Sequence, residues 1–325
     1  MAELTKTKSG APKLLKPKRS SFSSRLKRHR SLIPFVIPAV VFALIFSYLP
    51  MAGVVIAFKD DPNFGRYPVF EALNRSEWTL ENFRILFSDP EILRYVRNTL
   101  IISVMKIVLL FPLPVILAVM VSEIRNKHFS KLVQGLVFLP HFLSWVVIVG
   151  IFNNIFGLYG PVNNLAAALG GEPIYYMGEP GWFRWLVVIL SGWKEIGYSS
   201  IVYIAAITAI DPALYEAAKM DGATKMQQIW HITIPAIMPT IMVMLIIRIG
   251  YLMEAGFEQV YAMLNSLTRE TGEIIGTYVY RLGLGSGSRD YGLSTAVGLV
   301  NGVISLVLII SANRISKKRM GTGIW

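Results

Sequence analysis

Five ionisable side chains, Lys106, Lys194, Glu195, Arg248 and Glu254, fall within or at the edge of strongly apolar runs of this 325-residue chain. A charge at membrane depth is costly, so such residues generally line a water-filled path or pair with one another. The chemistry they offer is solute binding. Two blander readings stay open. The side chains can snorkel to an interface, and Lys194 and Glu195 can neutralise other charges inside a bundle. Covalent chemistry lacks material. The chain has no cysteine, which excludes disulfides, thiolate metal sites and thiol nucleophiles. Its histidines, His29, His128, His141 and His231, show neither HExxH nor paired-ligand spacing, and no Ser-His-acid arrangement is evident. The pattern G-x-x-x-x-G-K-[ST] is absent, so no P-loop cradles a phosphate.

The elements that must position these charges are membrane helices. The chain is 54% hydrophobic and only 16% charged, too little charge to cover a soluble surface. Apolar runs predict six helical spans, at about 32–58, 94–121, 133–157, 182–207, 237–262 and 290–312. The alternating segments of a membrane β-barrel are not seen. The expected fold is therefore an all-α integral membrane protein. Residues 1–31 form a basic tail with almost no acid, read as a topology determinant that touches anionic lipid. The first apolar run is too long for a signal h-region and no cleavage site follows it, so it reads as a retained anchor.

Lysine and arginine in the loops set the orientation. The N-terminal tail, the link IRNKHFSK (Ile124 to Lys131) and the tail at 313–325, with NRISKKRM, are basic, whereas residues 158–181 contain no Lys or Arg. Both termini are expected in the cytoplasm, and so is the polar stretch between the fourth and fifth spans.

That stretch, residues 211–236, reads as a helix hairpin. Asp211-Pro212 is a helix start. The first helix carries Tyr215, Glu216, Ala217 and Ala218, and Asp221-Gly222 ends it before Ala223. Thr224 to Gln227 is a capping box that opens a second helix, with Met226, Ile229 and Trp230 at helical spacing. Pro235 and Pro239 limit its continuation. Two roles fit: a surface helix in the lipid headgroups, or a docking element whose small residues allow close approach and whose Trp230 anchors a partner pocket.

The stretch EAAKMDGATKMQQIWHITIP (Glu216 to Pro235) resembles the EAA signature of bacterial binding-protein-dependent ABC importer permeases, EAA then G then I-x-L-P. It departs at Ile234, where leucine is usual. PMAGVVIAFKD (Pro50 to Asp60), TLENFRILFSDP (Thr79 to Pro90), RNTLIIS (Arg97 to Ser103), FLPHFLSWVV (Phe138 to Val147) and the closing GTGIW resemble the carbohydrate-uptake branch. Within it they are most similar to polysaccharide-type permeases, and close in character to the membrane subunits of alginate importers.

The resemblance implies a type I ABC importer permease fold in the bacterial cytoplasmic (inner) membrane, with residues 211–236 as the coupling helix seated on a cytosolic ATPase. It implies a second, homologous permease, two ATPase subunits that bind ATP and Mg, and a soluble solute-binding protein. No cofactor and no catalytic role are expected in this chain itself, and no nucleic acid. A sugar path needs aromatic platforms beside polar groups, which nominates Trp193, Tyr198 and Tyr251, with Asn153 a weaker candidate. Lys106, Lys194 and Arg248 outnumber Glu195 among the near-central charges, which points to an acidic, uronate-containing glycan. A stand-alone secondary transporter or channel for a sugar or organic anion is the alternative. It would account for buried charge but not for the EAA spacing, and the paired halves with broken helices common in such carriers are not found.

Overall fold

The computed structural model describes residues 33–60, 64, 66–285 and 289–324. The basic tail expected at 1–31 lies outside them. The chain divides between Gly53 and Val54 into two compact units. In the first, α1 (Ile33–Ala43) contains Pro38 and passes into a π turn over Leu44–Tyr48. The Phe42 and Phe46 rings meet across that junction at 4.6 Å, tilted by 34°.

The second unit is almost wholly helical. A 3₁₀ segment, Leu49–Phe58, leads into it from the first. Short helices α2 (Val69–Arg75) and α3 (Glu81–Ser88) precede the long α4 (Pro90–Leu110). Asp89 caps α4 by accepting from the Glu91 amide, and Pro90 occupies its first turn, where a missing N–H costs nothing. Next come α5 (Pro112–Ser122), α6 (Lys127–Phe138), α7 (Trp145–Phe156), α8 (Pro161–Ala168) and the 29-residue α9 (Pro180–Thr208). α9 is the central helix and packs against α4, α5 and α6. Among the described residues, the Lys59–Trp78 bridge is the only β pairing.

Among the described residues, five helical stretches are long and apolar enough to cross a membrane: Pro34–Phe58, Pro90–Ser122, Trp145–Ala168, Lys225–Gly250 and Tyr291–Met320. α9 becomes a sixth when taken with α10 (Pro212–Met220), from which it is bent by 69°.

The helices differ from the expected spans at three places. No continuous helix covers 133–157. α6 ends in a 3₁₀ turn, Leu139–Phe142, and α7 restarts at Trp145 with Ser144 accepting from the Val147 amide. Pro140 cannot donate to the preceding turn, and the Ser144 hydroxyl offers a new cap in its place. The fifth span starts earlier and stops earlier than 237–262. α11 (Lys225–Gln228) widens into a π turn over Ile229–Thr233 and runs on as α12 (Ile234–Gly250). Pro235 has no N–H for the His231 carbonyl, and in the wider turn the Ile234 amide bonds the Ile229 carbonyl instead. At the other end, Ala255 (φ 51°) and Gly256 (φ 84°) take left-handed backbone that breaks the rod before α13 (Phe257–Met263).

The third difference is at the C-terminus. After α14 (Arg269–Gly272) and α15 (Ile275–Leu284), α16 runs from Tyr291 through Met320, past the expected limit of 312. Lys317, Lys318 and Arg319 fill its last turn, where cations complement the helix dipole. The following segment folds back, with the Ile324 amide donating to Asn313 Oδ1 at 2.8 Å and Ser316 Oγ to the Thr322 carbonyl at 2.6 Å.

At the end of the unit away from α10, a polar network ties α4 and α9 to α14 and α15. Asn98 donates to the Glu270 and Glu273 carbonyls, both at 3.0 Å, and accepts from Arg184 at 2.9 Å. The Glu273 side chain is 1% exposed and takes two hydrogen bonds from Arg281, at 2.9 and 3.3 Å. Those bonds hold the Arg281 guanidinium above its ordinary pKa. Nearby, burial pushes the Tyr278 phenol up to about 12. The network satisfies carbonyls that the short helices leave unpaired.

Candidate functional site

The first site is a cavity of about 380 Å³ lined by α4, α5, α9, α12 and the break that follows α12. Lys106, Glu195, Arg248, Tyr251 and Glu254 all line it, so five sequence-nominated residues from three regions of the chain meet in one place. Arg248 Nη2 lies 3.3 Å from Glu195 Oε2 and 3.4 Å from Ser199 Oγ. The lining contains two cations and two carboxylates, so its formal charges balance.

Lys106 is engaged with its own chain. Its ammonium donates to the Ala255 carbonyl at 2.9 Å and to Gln259 Oε1 at 2.8 Å. One turn earlier on α4, Ser103 donates to the Leu252 carbonyl. Gln259 is fully buried; it also accepts from Ser191 at 2.6 Å and donates to the Val187 carbonyl at 2.7 Å.

The remaining nominated residues lie elsewhere. Lys194 is next to Glu195 in sequence but on another face of α9. It is 8% exposed, donates to the carbonyls of His141 (2.7 Å) and Leu143, and sits 5.3 Å from the centre of the Trp145 ring. It serves the break between α6 and α7, not the cavity. Tyr198 stacks on His141 at 3.7 Å with the rings 2° from parallel. Trp193 meets Phe152 edge-on at 5.4 Å, and Asn153 is exposed on α7. Neither Tyr198, Trp193 nor Asn153 is in the cavity wall.

Sequence reading did not nominate Ser103, Ser191, Ser199 or Gln259. The signal for the serines was present: Ser103 falls three residues from Lys106, and Ser191 and Ser199 each fall four from Glu195, the spacing that shares a helix face. Gln259, beyond the break, had no such register to place it.

The second site is the hairpin at the opposite end of α12. Asp211 caps α10 by accepting from the Ala213 amide at 2.9 Å. Gly222, at φ 76°, makes the turn. Thr224 and Gln227 form the capping box of α11. Inside the hairpin, the Tyr215 and Thr233 hydroxyls are 2.9 Å apart, and Gln228 donates to the Ala223 carbonyl at 3.0 Å. Lys225 pairs with Glu123 at the end of α5, 2.7 Å away. Two large apolar side chains stand open on its outward surface: Met220 is 88% exposed and Trp230 62%. Glu216, Ala217, Asp221 and Pro235 are exposed as well.

A membrane unit with an uncovered, capped hairpin is what a transporter driven by a separate engine needs. Residues 110–320 match the family model described as "Binding-protein-dependent transport system inner membrane component". The chain belongs to this family. It is an integral membrane permease component of an ABC transporter. Among curated proteins it is 42% identical over 312 residues to the polygalacturonan/rhamnogalacturonan transport system permease protein YteP of Bacillus subtilis (strain 168), covering 95% of each chain. It is also 42% identical over 318 residues to protein LplB of the same organism, covering 97% of this chain and 98% of that one. Among solved structures it is similar to a chain of a bacterial ABC transporter involved in the import of the acidic polysaccharide alginate. That match has a TM-score of 0.82 at 38% identity, covering 92% of this chain and 99% of the other. A second match of equal score is the alginate transporter in complex with its alginate pentasaccharide-bound periplasmic protein.

Proposed function

We propose that the chain is one of two permease subunits of an ATP-driven importer for an acidic, uronate-containing oligosaccharide. A periplasmic or extracellular binding protein delivers the sugar. Two cytosolic ATPase subunits bind the ATP and Mg, and this chain catalyses no reaction of its own. Both termini and the hairpin face the cytoplasm.

The observation that carries the reading is the pairing of a cavity that gathers four charged side chains with an exposed EAA hairpin on the same helix. α11 and α12 form one continuous 26-residue stretch, Lys225–Gly250, with the hairpin at one end and Arg248 at the other. Displacement of the hairpin by a closing ATPase dimer therefore reaches the cavity wall through a single helix. Ligand binding shifts the equilibrium between cavity states only through a difference in affinity for them, which the loaded binding protein supplies at the far end.

Arg248 is the residue suited to a carboxylated sugar. Both of its internal contacts use Nη2, and a guanidinium carries further N–H donors in a planar fork that matches a carboxylate. Tyr251 beside it, 59% exposed, supplies a ring face for the C–H face of a sugar. The relatives that act on polygalacturonan, rhamnogalacturonan and alginate, all uronate-bearing polymers, support the same class.

The test is uptake by the complete transporter in vesicles, with oligogalacturonate or oligoalginate as acidic probes and a maltooligosaccharide as the neutral one. ATP-dependent uptake of an acidic probe, weakened about tenfold or more by Arg248→Ala, is the expected result. Uptake driven by an ion gradient without ATP would sink the importer reading. Preference for the neutral probe would sink the acidic one.

A further inference from the structure

The fifth span is broken where it enters the cavity wall, and the break is pinned by side chains from another helix. Ala255 is at φ 51°, a left-handed conformation that a non-glycine residue holds only when its surroundings impose it. The surroundings are on α4. Ser103 and Lys106 are three residues apart on one face, and they grip the carbonyls of Leu252 and Ala255, which are also three apart. Glycine at 256 fits the same clamp: its φ is 84°, and a Cβ there would lie 2.7 Å from Lys106 Nζ. Irregular backbone at membrane depth survives only where its polar groups are satisfied inside the protein or along a cavity, and these two side chains provide that satisfaction.

We propose that Lys106 is a positioning residue of the transport cycle. Its ammonium holds the segment 251–256 in the strained conformation that turns Tyr251 and Glu254 into the cavity, and loss of the Lys106–Ala255 bond lets the segment relax and changes the cavity wall. Lys106 is thus a latch on the broken span and not the anion-binding cation that its position in an apolar run suggests. The proposal rests on the transporter reading above but not on the identity of the glycan.

The chain contains no cysteine, so Tyr251→Cys introduces a single thiol on the pinned segment. The experiment measures the rate at which a membrane-impermeant maleimide labels that thiol in the complete, nucleotide-free transporter. Two further substitutions are added to it singly. Lys106→Met removes the latch and depopulates the pinned state about tenfold, the effect of one charge-assisted hydrogen bond. Ala255→Gly removes the strain and favours the pinned state by a similar factor. The labelling rate is expected to move in opposite directions in the two variants. A rate unchanged in both, or displaced in the same direction by both, overturns the proposal, because damaged packing has no reason to act with opposite signs. Should the Lys106→Met chain fail to assemble, a labelling rate in the Ala255→Gly chain equal to that of its parent overturns it alone. The assay needs no sugar, so failure to import acidic glycans would count against the proposed substrate and leave this result readable.

Discussion

Arg248 of α12 and Glu195 of α9 meet at 3.3 Å in the cavity wall, 53 residues apart in the chain. A carboxylate that already holds a guanidinium competes with any carboxylate arriving on a ligand. Replacing Glu195 by Gln removes the competitor's charge and keeps its shape. The pair is partly exposed, 48% and 33%, so the release is modest: KM for an acidic oligosaccharide is expected to fall about two- to fivefold. Uptake kinetics with acidic and neutral probes check this, and an equal change for both probes would remove Glu195 from any role in charge selection.

Lys194 behaves differently. Its ammonium satisfies two carbonyls freed by the break at Pro140, in a buried position. Lys194→Met leaves those acceptors unpaired, which costs about 2–4 kcal/mol of stability. The expected outcome is a lower thermal unfolding midpoint and less assembled transporter, with KM for the substrate in the surviving fraction unchanged. A raised KM at normal stability would return Lys194 to the substrate path.

The contrast between these residues shows what was legible in the sequence. Helical spans were readable because apolar length is a local property, and the hairpin because caps and a glycine turn are local too. Nothing local says which face of α9 turns inward, and Lys194 and Glu195, adjacent in sequence, point to different neighbours. The breaks were hidden for the same reason. Residues 251–256, YLMEAG, offer only Gly256 as a local hint of a break, and the left-handed turn is imposed by Ser103 and Lys106 from a helix 149 residues earlier for each bond. The charge count that favoured an acidic sugar included Lys194 and left out Glu254; in the cavity the charges balance.

The hydroxyl pair Tyr215–Thr233 links α10 to the π turn ahead of Pro235. It is the direct side-chain bond between the first arm of the hairpin and the helix that carries Arg248. Tyr215→Phe removes it while preserving the ring, a loss of about 1 kcal/mol. ATPase binding is expected to persist, while the number of sugars imported per ATP falls. Simultaneous measurement of ATP hydrolysis and uptake in vesicles decides the point, and an unaltered ratio would show that the backbone of the hairpin suffices.

The hairpin surface offers the last prediction. Ala217 is exposed beside Glu216, and Gly222 turns the chain at φ 76°. A side chain as large and charged as Glu at position 217 blocks close approach of a partner without touching the internal bonds of the hairpin. A β-branched residue at 222 strains the turn instead, by about 1–2 kcal/mol. Ala217→Glu is therefore expected to abolish capture of the ATPase subunits in detergent with no change in thermal stability of the permease. Gly222→Val is expected to lower both partially, because it shifts α10 relative to α11. Co-purification of the ATPase with each variant, set beside its unfolding midpoint, separates the two effects. Full ATPase capture by both variants would mean that the exposed face of α10 is covered by something other than the engine.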